Sequence, residues 1–376
     1  MADRYWVGGT GTWDTTTTTP WSATSGGVGG ASVPTSVDSV FFNLAGSFTI
    51  SCTGGLNCLD ITTSTGSYNF QSGTSPSFSI YGSMTLAIGT QWTTTGGINF
   101  LSTTTGRTIT TNGISLSSGV TFSGVGGGWT LGGAFSIPSQ NMTIAAGAFD
   151  SNNFNISVSA FFVTGSTDRI VTFGTSIVDC SAIGAWTASG TNLTLNLRLS
   201  TINLSSSVSA TFNGGGFTYG NVAFTYNGMS TQTINGNNTF NNLTLGPISS
   251  AGVRLVNINE NQIVNGTFSG SGNSYTSRRQ LFSGTLKTQY TITATTVATL
   301  QYIDFRDIAG AGATWSGTSL GDLKGNSGIT FTPKTVYWNL AGAQNWSATG
   351  WASTSGGTPD VNNFPLAQDT CVFDNA

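Results

Sequence analysis

The chemistry open to this chain is narrow, because histidine is absent and Glu260 is its lone glutamate. A Ser-His-Asp or Cys-His nucleophile needs an imidazole base, so both arrangements are excluded. Zinc and most transition-metal sites lose their commonest ligand in the same way. No stretch places carboxylates at alternate positions as a calcium loop would. What remains is acid–base work by a pair of aspartates, which is sufficient to hydrolyse a glycosidic bond. The candidates are Asp150, Asp168, Asp179, Asp304 and Asp307. On one strand Asp304 and Asp307 would point to opposite faces. The spacing suggests instead a turn role for Asp307 and ion pairing of either residue with Arg306 or a neighbouring chain. No catalytic residue, cofactor or metal site is therefore expected.

Two glycine clusters, Gly8-Gly9-Thr10-Gly11 and Gly124-Val125-Gly126-Gly127-Gly128, look like phosphate loops at first sight. Neither precedes a helical pattern or a nucleotide-loop lysine, so turn chemistry is the expectation. Cys52, Cys58, Cys180 and Cys371 have no zinc or redox spacing. Cys52 and Cys58 could pair across a turn, but partly buried thiols are expected. Trp13, Trp21, Trp346 and Trp351 stand among Gly, Ser and Thr, where an indole face could stack on a sugar. They are glycan-binding candidates, although anchoring small cores is the better use of so much apolar surface.

Composition limits the partners. Of 376 residues only 7% are charged, and the net charge is -3. Basic residues are scattered singly apart from Arg278-Arg279, which leaves no cationic stripe for nucleic acid. No apolar run reaches the roughly 18 residues of a membrane span. The start of the chain has no hydrophobic signal segment, so a soluble product outside the general secretory route is expected. With 38% hydrophobic residues and little charge, the chain should fold rather than remain disordered.

The elements that must position these residues are strands. Phe154, Ile156, Val158, Ala160 and Phe162 alternate with small polar residues, as do Leu193, Leu195, Leu197 and Leu199, then Val208, Ala210 and Phe212. That period of two puts one face inward. Clusters such as Asn213-Gly214-Gly215-Gly216 and Asn235-Gly236-Asn237-Asn238 mark bends. Strands continue for most of the chain without a linker, whereas a sandwich normally closes after roughly 100 residues. The reading is an all-β, right-handed parallel β-helix (β-solenoid) with rungs of roughly 20–25 residues stacked about 4.8 Å apart. Tandem β-sandwiches are the alternative. Stacked Asn and Thr ladders between rungs would stiffen the solenoid.

An internal repeat brackets it. Tyr5-Trp6, Trp13, Trp21-Ser22-Ala23-Thr24-Ser25-Gly26-Gly27, Pro34 and Asp38 return as Tyr337-Trp338, Trp346, Trp351-Ala352-Ser353-Thr354-Ser355-Gly356-Gly357, Pro365 and Asp369. The expected organisation is a Trp/Gly-rich β module over 1–45, the solenoid over 46–333, and a second copy of the module, complete or truncated, over 334–376.

The opening Tyr5-Trp6-Val7-Gly8-Gly9-Thr10-Gly11-Thr12-Trp13, with Trp21 to Gly27 and Val33-Pro34-Thr35-Ser36, resembles modules in large structural proteins of tailed bacteriophages. Tyr302-Ile303-Asp304-Phe305-Arg306-Asp307, Gly312-Ala313-Thr314-Trp315 and Gly325-Asn326-Ser327-Gly328-Ile329-Thr330-Phe331 are similar to the last rungs of their β-helical fibres. The resemblance implies a virion structural protein of tail-fibre or spike type, assembled in the host cytoplasm. It further implies a homo-oligomer, a trimer, contacting other virion proteins and a host surface glycan. Two alternatives belong to other classes: a glycan-depolymerising tailspike, and a bacterial adhesin or surface-layer protein.

Overall fold

The computed structural model describes residues 2–228, 230–249 and 251–374. The described residues form strands joined by turns, with a single 3-10 turn over Val361–Asn363 and no α-helix. The strands pair in parallel between coils, so the chain is a β-solenoid, consistent with a right-handed β-helix. Two compact units are defined by internal packing: residues 2–203 with 218–220, and residues 204–217 with 221–374.

Each coil of the first unit visits three faces. Ile61–Thr63 lies on the first, Ser67–Ser72 on the second and Ser77–Ile80 on the third, before Met84–Thr85 returns to pair with Ile61–Thr63. Coil length follows from the registers. On the third face Phe161 pairs with Met142, 19 positions earlier, and with Trp186, 25 positions later. The expected 20–25 residues per rung is thus close. Turn length varies while the strand positions stay stacked, which is why no strict repeat is visible in the sequence.

Alternation sends one side chain in two to the interior. Ile98, Val120, Met142, Phe161 and Trp186 are successive register partners on the third face, each 0–1% exposed. The two aromatic members of this column stack, Phe161 on Trp186 at 5.1 Å and 15°. The outward positions between them, Asn57, Ser79, Asn99, Thr121 and Thr143, make a parallel polar row.

Local alternation mispredicts the interior where a turn intervenes. Ile156, Val158 and Ala160 are buried as expected, but Phe154 is 36% exposed and Phe161, not Phe162, enters the core. The strand Ile156–Val158 ends there, and the next begins at Phe161. The two-residue turn restarts the alternation in the opposite phase. Leu199 (72% exposed) and Val208 (68%) likewise fall in turns while Leu197, Ala210 and Phe212 go inside.

In the second unit strands reach eight residues, as in Gln262–Ser269 and Tyr290–Val297. The expected side-chain ladder is present at one corner. Asn235 Nδ2 donates to Asn213 Oδ1 at 2.6 Å, and Asn259 Nδ2 donates in turn to Asn235 Oδ1. The adjoining turn needs Gly236, whose φ is +91° and whose position would bring a Cβ within 2.7 Å of the Gly215 nitrogen. The Gly124 cluster is also turn chemistry: a Cβ on Gly124 would lie 1.9 Å from the Ser102 carbonyl oxygen of the preceding coil.

Candidate functional site

The two Trp/Gly modules share one strand pairing. In the first, Tyr5 and Trp6 pair antiparallel with Ser22 and Trp21, while Asp3–Tyr5 pair in parallel with Ser39–Phe41. In the second, Tyr337 and Trp338 pair antiparallel with Ala352 and Trp351, and Thr335–Tyr337 in parallel with Thr370–Val372. The repeated aspartate has the same task in both. Asp38 accepts from the backbone N–H groups of Ala2 and Thr35, at 3.0 and 3.1 Å. Asp369 accepts from those of Lys334 and Leu366, at 3.0 and 2.8 Å. This tie explains why Pro and Asp recur at equal spacing in the two copies.

Burial would raise the Asp38 carboxyl, but hydrogen bonds from Thr35 and Ala2, with the Arg4 charge, outweigh it and hold the group below its ordinary value. A carboxylate depressed on folding stabilises the module above its unfolded pKa, and that contribution is lost as pH falls through the folded one. Acidification below about pH 4 should therefore loosen this module. Asp38→Asn is expected to flatten that acid dependence, read by amide exchange at Thr35 and Ala2 as a function of pH.

The four candidate tryptophans separate into two groups. Trp13, Trp21 and Trp351 are 1%, 0% and 1% exposed, leaving no indole face for a sugar, while Trp346 is 51% exposed. The buried three anchor edge-to-face clusters, with Trp13–Trp21 at 5.5 Å and Trp346–Trp351 at 4.8 Å. Trp13 instead lies in the wall of a cleft of about 360 Å³, lined also by Asp14, Thr35, Ser36, Asn57 and Tyr81. Trp351 forms part of a smaller apolar cavity of about 150 Å³ with Tyr275, Ala348, Val361 and Phe364. The first cleft offers hydroxyl, amide and carboxylate groups beside a tyrosine ring, a donor–acceptor set that suits a polyhydroxylated ligand.

The candidate carboxylates are dispersed among separate hydrogen-bonding roles. Asp150 accepts from the Asn152 N–H at 2.7 Å and Asp179 from Asn203 Nδ2 at 2.8 Å, while Asp168 is exposed on a turn. Asp307 occupies a left-handed turn position (φ +55°), accepts from the Lys287 N–H at 3.0 Å and lies 3.7 Å from Arg306. The ion pairing of Asp304 departs from expectation. Its partner is Arg278 of the preceding coil, bonded through Nε at 3.0 and 3.1 Å and through Nη2 at 2.5 Å, with both residues buried. Among the described residues no cluster of three His, Cys, Asp or Glu side chains is placed to hold a metal.

Sequence reasoning missed the buried arginines. Arg254 and Arg279 are register partners in adjacent coils, both 0% exposed. Arg254 donates to the Gly228 and Pro247 carbonyls, and Arg279 to Gln232 Oε1 and the Leu245 and Gly246 carbonyls. Burial, with the Arg254 charge beside it, pulls the Arg279 guanidinium down to about 9. Adjacent residues of a strand face opposite ways. The Arg278-Arg279 doublet therefore had to send one guanidinium inward, which is the signal the sequence contained.

The cysteines form no disulfide. Burial pushes the Cys52 thiol up to about 12 and raises Cys58 and Cys180 further, with Asp60 and Asp179 adding to it. Only a thiolate reacts readily. At pH 8 a water-soluble disulfide reagent is expected to titrate Cys371 alone in the native protein, and all four thiols after unfolding. Fast native labelling of Cys52, Cys58 or Cys180 would refute this interior placement.

Parallel coils, a stacked apolar interior and polar outward rows define the chain as a β-solenoid, an architecture found among fibrous and structural repeat proteins. No family model, curated protein or solved structure matches it.

Proposed function

We propose that the chain is a structural protein of a tailed-bacteriophage virion, of fibre or spike type, that attaches to a host-surface glycan without cleaving it. The observation that carries this reading is the uncharged sheath. Outward rows such as Asn57, Ser79, Asn99, Thr121 and Thr143 repeat once per coil. A second row runs through Thr62, Thr85 and Thr110. Hydroxyl and amide groups at a fixed coil spacing can hydrogen-bond a polysaccharide along its length, and their weak charge makes binding insensitive to salt. The Trp/Gly opening that resembles phage structural modules points the same way. The scattered aspartates and the undivided polar rows favour binding over hydrolysis. In this reading the chain assembles in the host cytoplasm as a homotrimer with other virion proteins.

Purified protein mixed with host lipopolysaccharide or capsule should bind without releasing reducing ends, and binding should change little between about 0.05 and 0.5 M salt. New reducing ends would establish a depolymerase instead. Antibody raised to the chain should decorate projections on intact particles in electron micrographs. Label on cell envelopes, with particles bare, would replace the virion reading by that of a surface adhesin.

A further inference from the structure

The second unit buries a row of hydrogen-bond donors that lack acceptors. Arg254 and Arg279 are register partners in adjacent coils, and both are 0% exposed. One coil earlier, Gln232 pairs with Val256. Ser230 stands two positions before Gln232, as Arg254 stands two before Val256, so one inward row runs from Ser230 through Arg254 to Arg279. Ser230 is itself buried, at 8% exposure. Each of the three has a buried polar atom without a hydrogen-bond partner among the described residues: Ser230 Oγ, Arg254 Nε and Arg279 Nε.

The bonds these arginines do make bring no negative charge. Arg254 donates to the Gly228 and Pro247 carbonyls. Arg279 donates to Gln232 Oε1 at 3.2 Å and to the Leu245 and Gly246 carbonyls. All five acceptors are neutral oxygens, and three come from Leu245-Gly246-Pro247, which gathers both guanidiniums at one place. Among the described residues neither guanidinium forms an ion pair. Arg278 supplies the contrast, because it faces the other way and meets Asp304. Even pulled down to about 9, Arg279 keeps its proton at neutral pH. Two positive charges thus lie side by side in the interior, which is costly unless a negative charge stands with them.

We infer that Ser230, Arg254 and Arg279 bind one monovalent anion of chloride size inside the solenoid. Its ligands are the Ser230 hydroxyl and the two Nε–H groups, supplied by three successive coils. Burial sets the class of occupant. A group tethered to another macromolecule does not reach side chains at 0% exposure. A divalent anion gives up far more hydration on entry than a monovalent one. The ion enters as the coils close and ties them together, independently of any glycan bound outside.

Urea unfolding at constant ionic strength, with chloride replacing gluconate, tests the site. A ligand held by the folded state alone raises the folding equilibrium constant up to about tenfold per tenfold rise in its concentration. The midpoint should climb with chloride and with bromide, and gluconate, too large for the interior, should not raise it. Amide exchange over Gly252–Ile258 and Ser277–Ser283 should slow in step, placing the effect at these coils. Ser230→Ala removes one donor and should shift the chloride dependence to about tenfold higher concentration. Arg254→Met with Arg279→Met should abolish it. Equal midpoints in chloride and gluconate would overturn the inference. So would a chloride response undiminished in Ser230→Ala.

Discussion

Trp186→Ala is expected to destabilise the first unit by about 3–5 kcal/mol, the cost of emptying a large aromatic site in a packed interior. The Trp186 indole is 0% exposed. Its ring stacks on Phe161 at 5.1 Å and meets Phe173 and Tyr219 edge-on at 6.1 and 6.0 Å. Alanine would remove those contacts and the Nε1 donor, 3.4 Å from the Tyr219 hydroxyl. That hydroxyl is buried, which raises its pKa and keeps it neutral. Because each coil packs only on its neighbours, the defect should spread to adjacent coils before it reaches distant ones. Urea unfolding should show a lower midpoint, and hydrogen exchange should rise first at Phe161–Val163. Trp186→Phe should cost less, about 1–2 kcal/mol, since most of the volume is kept. A loss below about 1 kcal/mol for the alanine variant would mean that the interior column is not closely packed there.

Asp304→Ala should cost about as much for a different reason. Removing one partner of a buried ion pair strands the other charge, at about 3–5 kcal/mol. Arg278 and Asp304 side chains are 9% and 12% exposed. The pair also anchors the next turn, because Arg278 Nη2 donates to the Ser319 carbonyl at 2.9 Å. Without the carboxylate, that carbonyl is left to satisfy a buried cation. The double replacement Arg278→Met with Asp304→Leu separates pairing from simple packing. Apolar substitutes of similar volume often leave stability unchanged or raise it. The double variant should therefore recover most of the loss, measured by urea midpoint. If it is as unstable as Asp304→Ala, the pair is not what stabilises this coil.

Much of the fold was legible because it is local. Thr, Val, Ile and Phe in alternation can satisfy only a pleated strand, and Asn and Gly clusters can satisfy only bends. The failures were local too. Phe154 and Phe162 were placed inside by continuing one alternation through a turn, whereas the turn at 159–160 reversed its phase and admitted Phe161. The candidate site was less legible than the fold. Three of four tryptophans proposed for sugars are buried, and the cleft of Asp14, Asn57 and Tyr81 joins residues from successive coils. Their neighbourhood is set by coil stacking, which no short window of residues contains.

By itself the sequence determined the strand chemistry, the solenoid class, the duplicated module and the poverty of charge, since each is written in residue type and spacing along the chain. Tertiary structure alone decided which residues meet across coils. Arg278 found Asp304, 26 positions away, rather than Arg306 finding it from two positions away. Two guanidiniums went inward at Arg254 and Arg279, and Trp13 and Trp346, equivalent in the two copies of the repeat, ended 1% and 51% exposed. The physical reason is common to all three. Burial depends on what is stacked above and below a residue, and that neighbour is set by turn lengths summed over a whole coil.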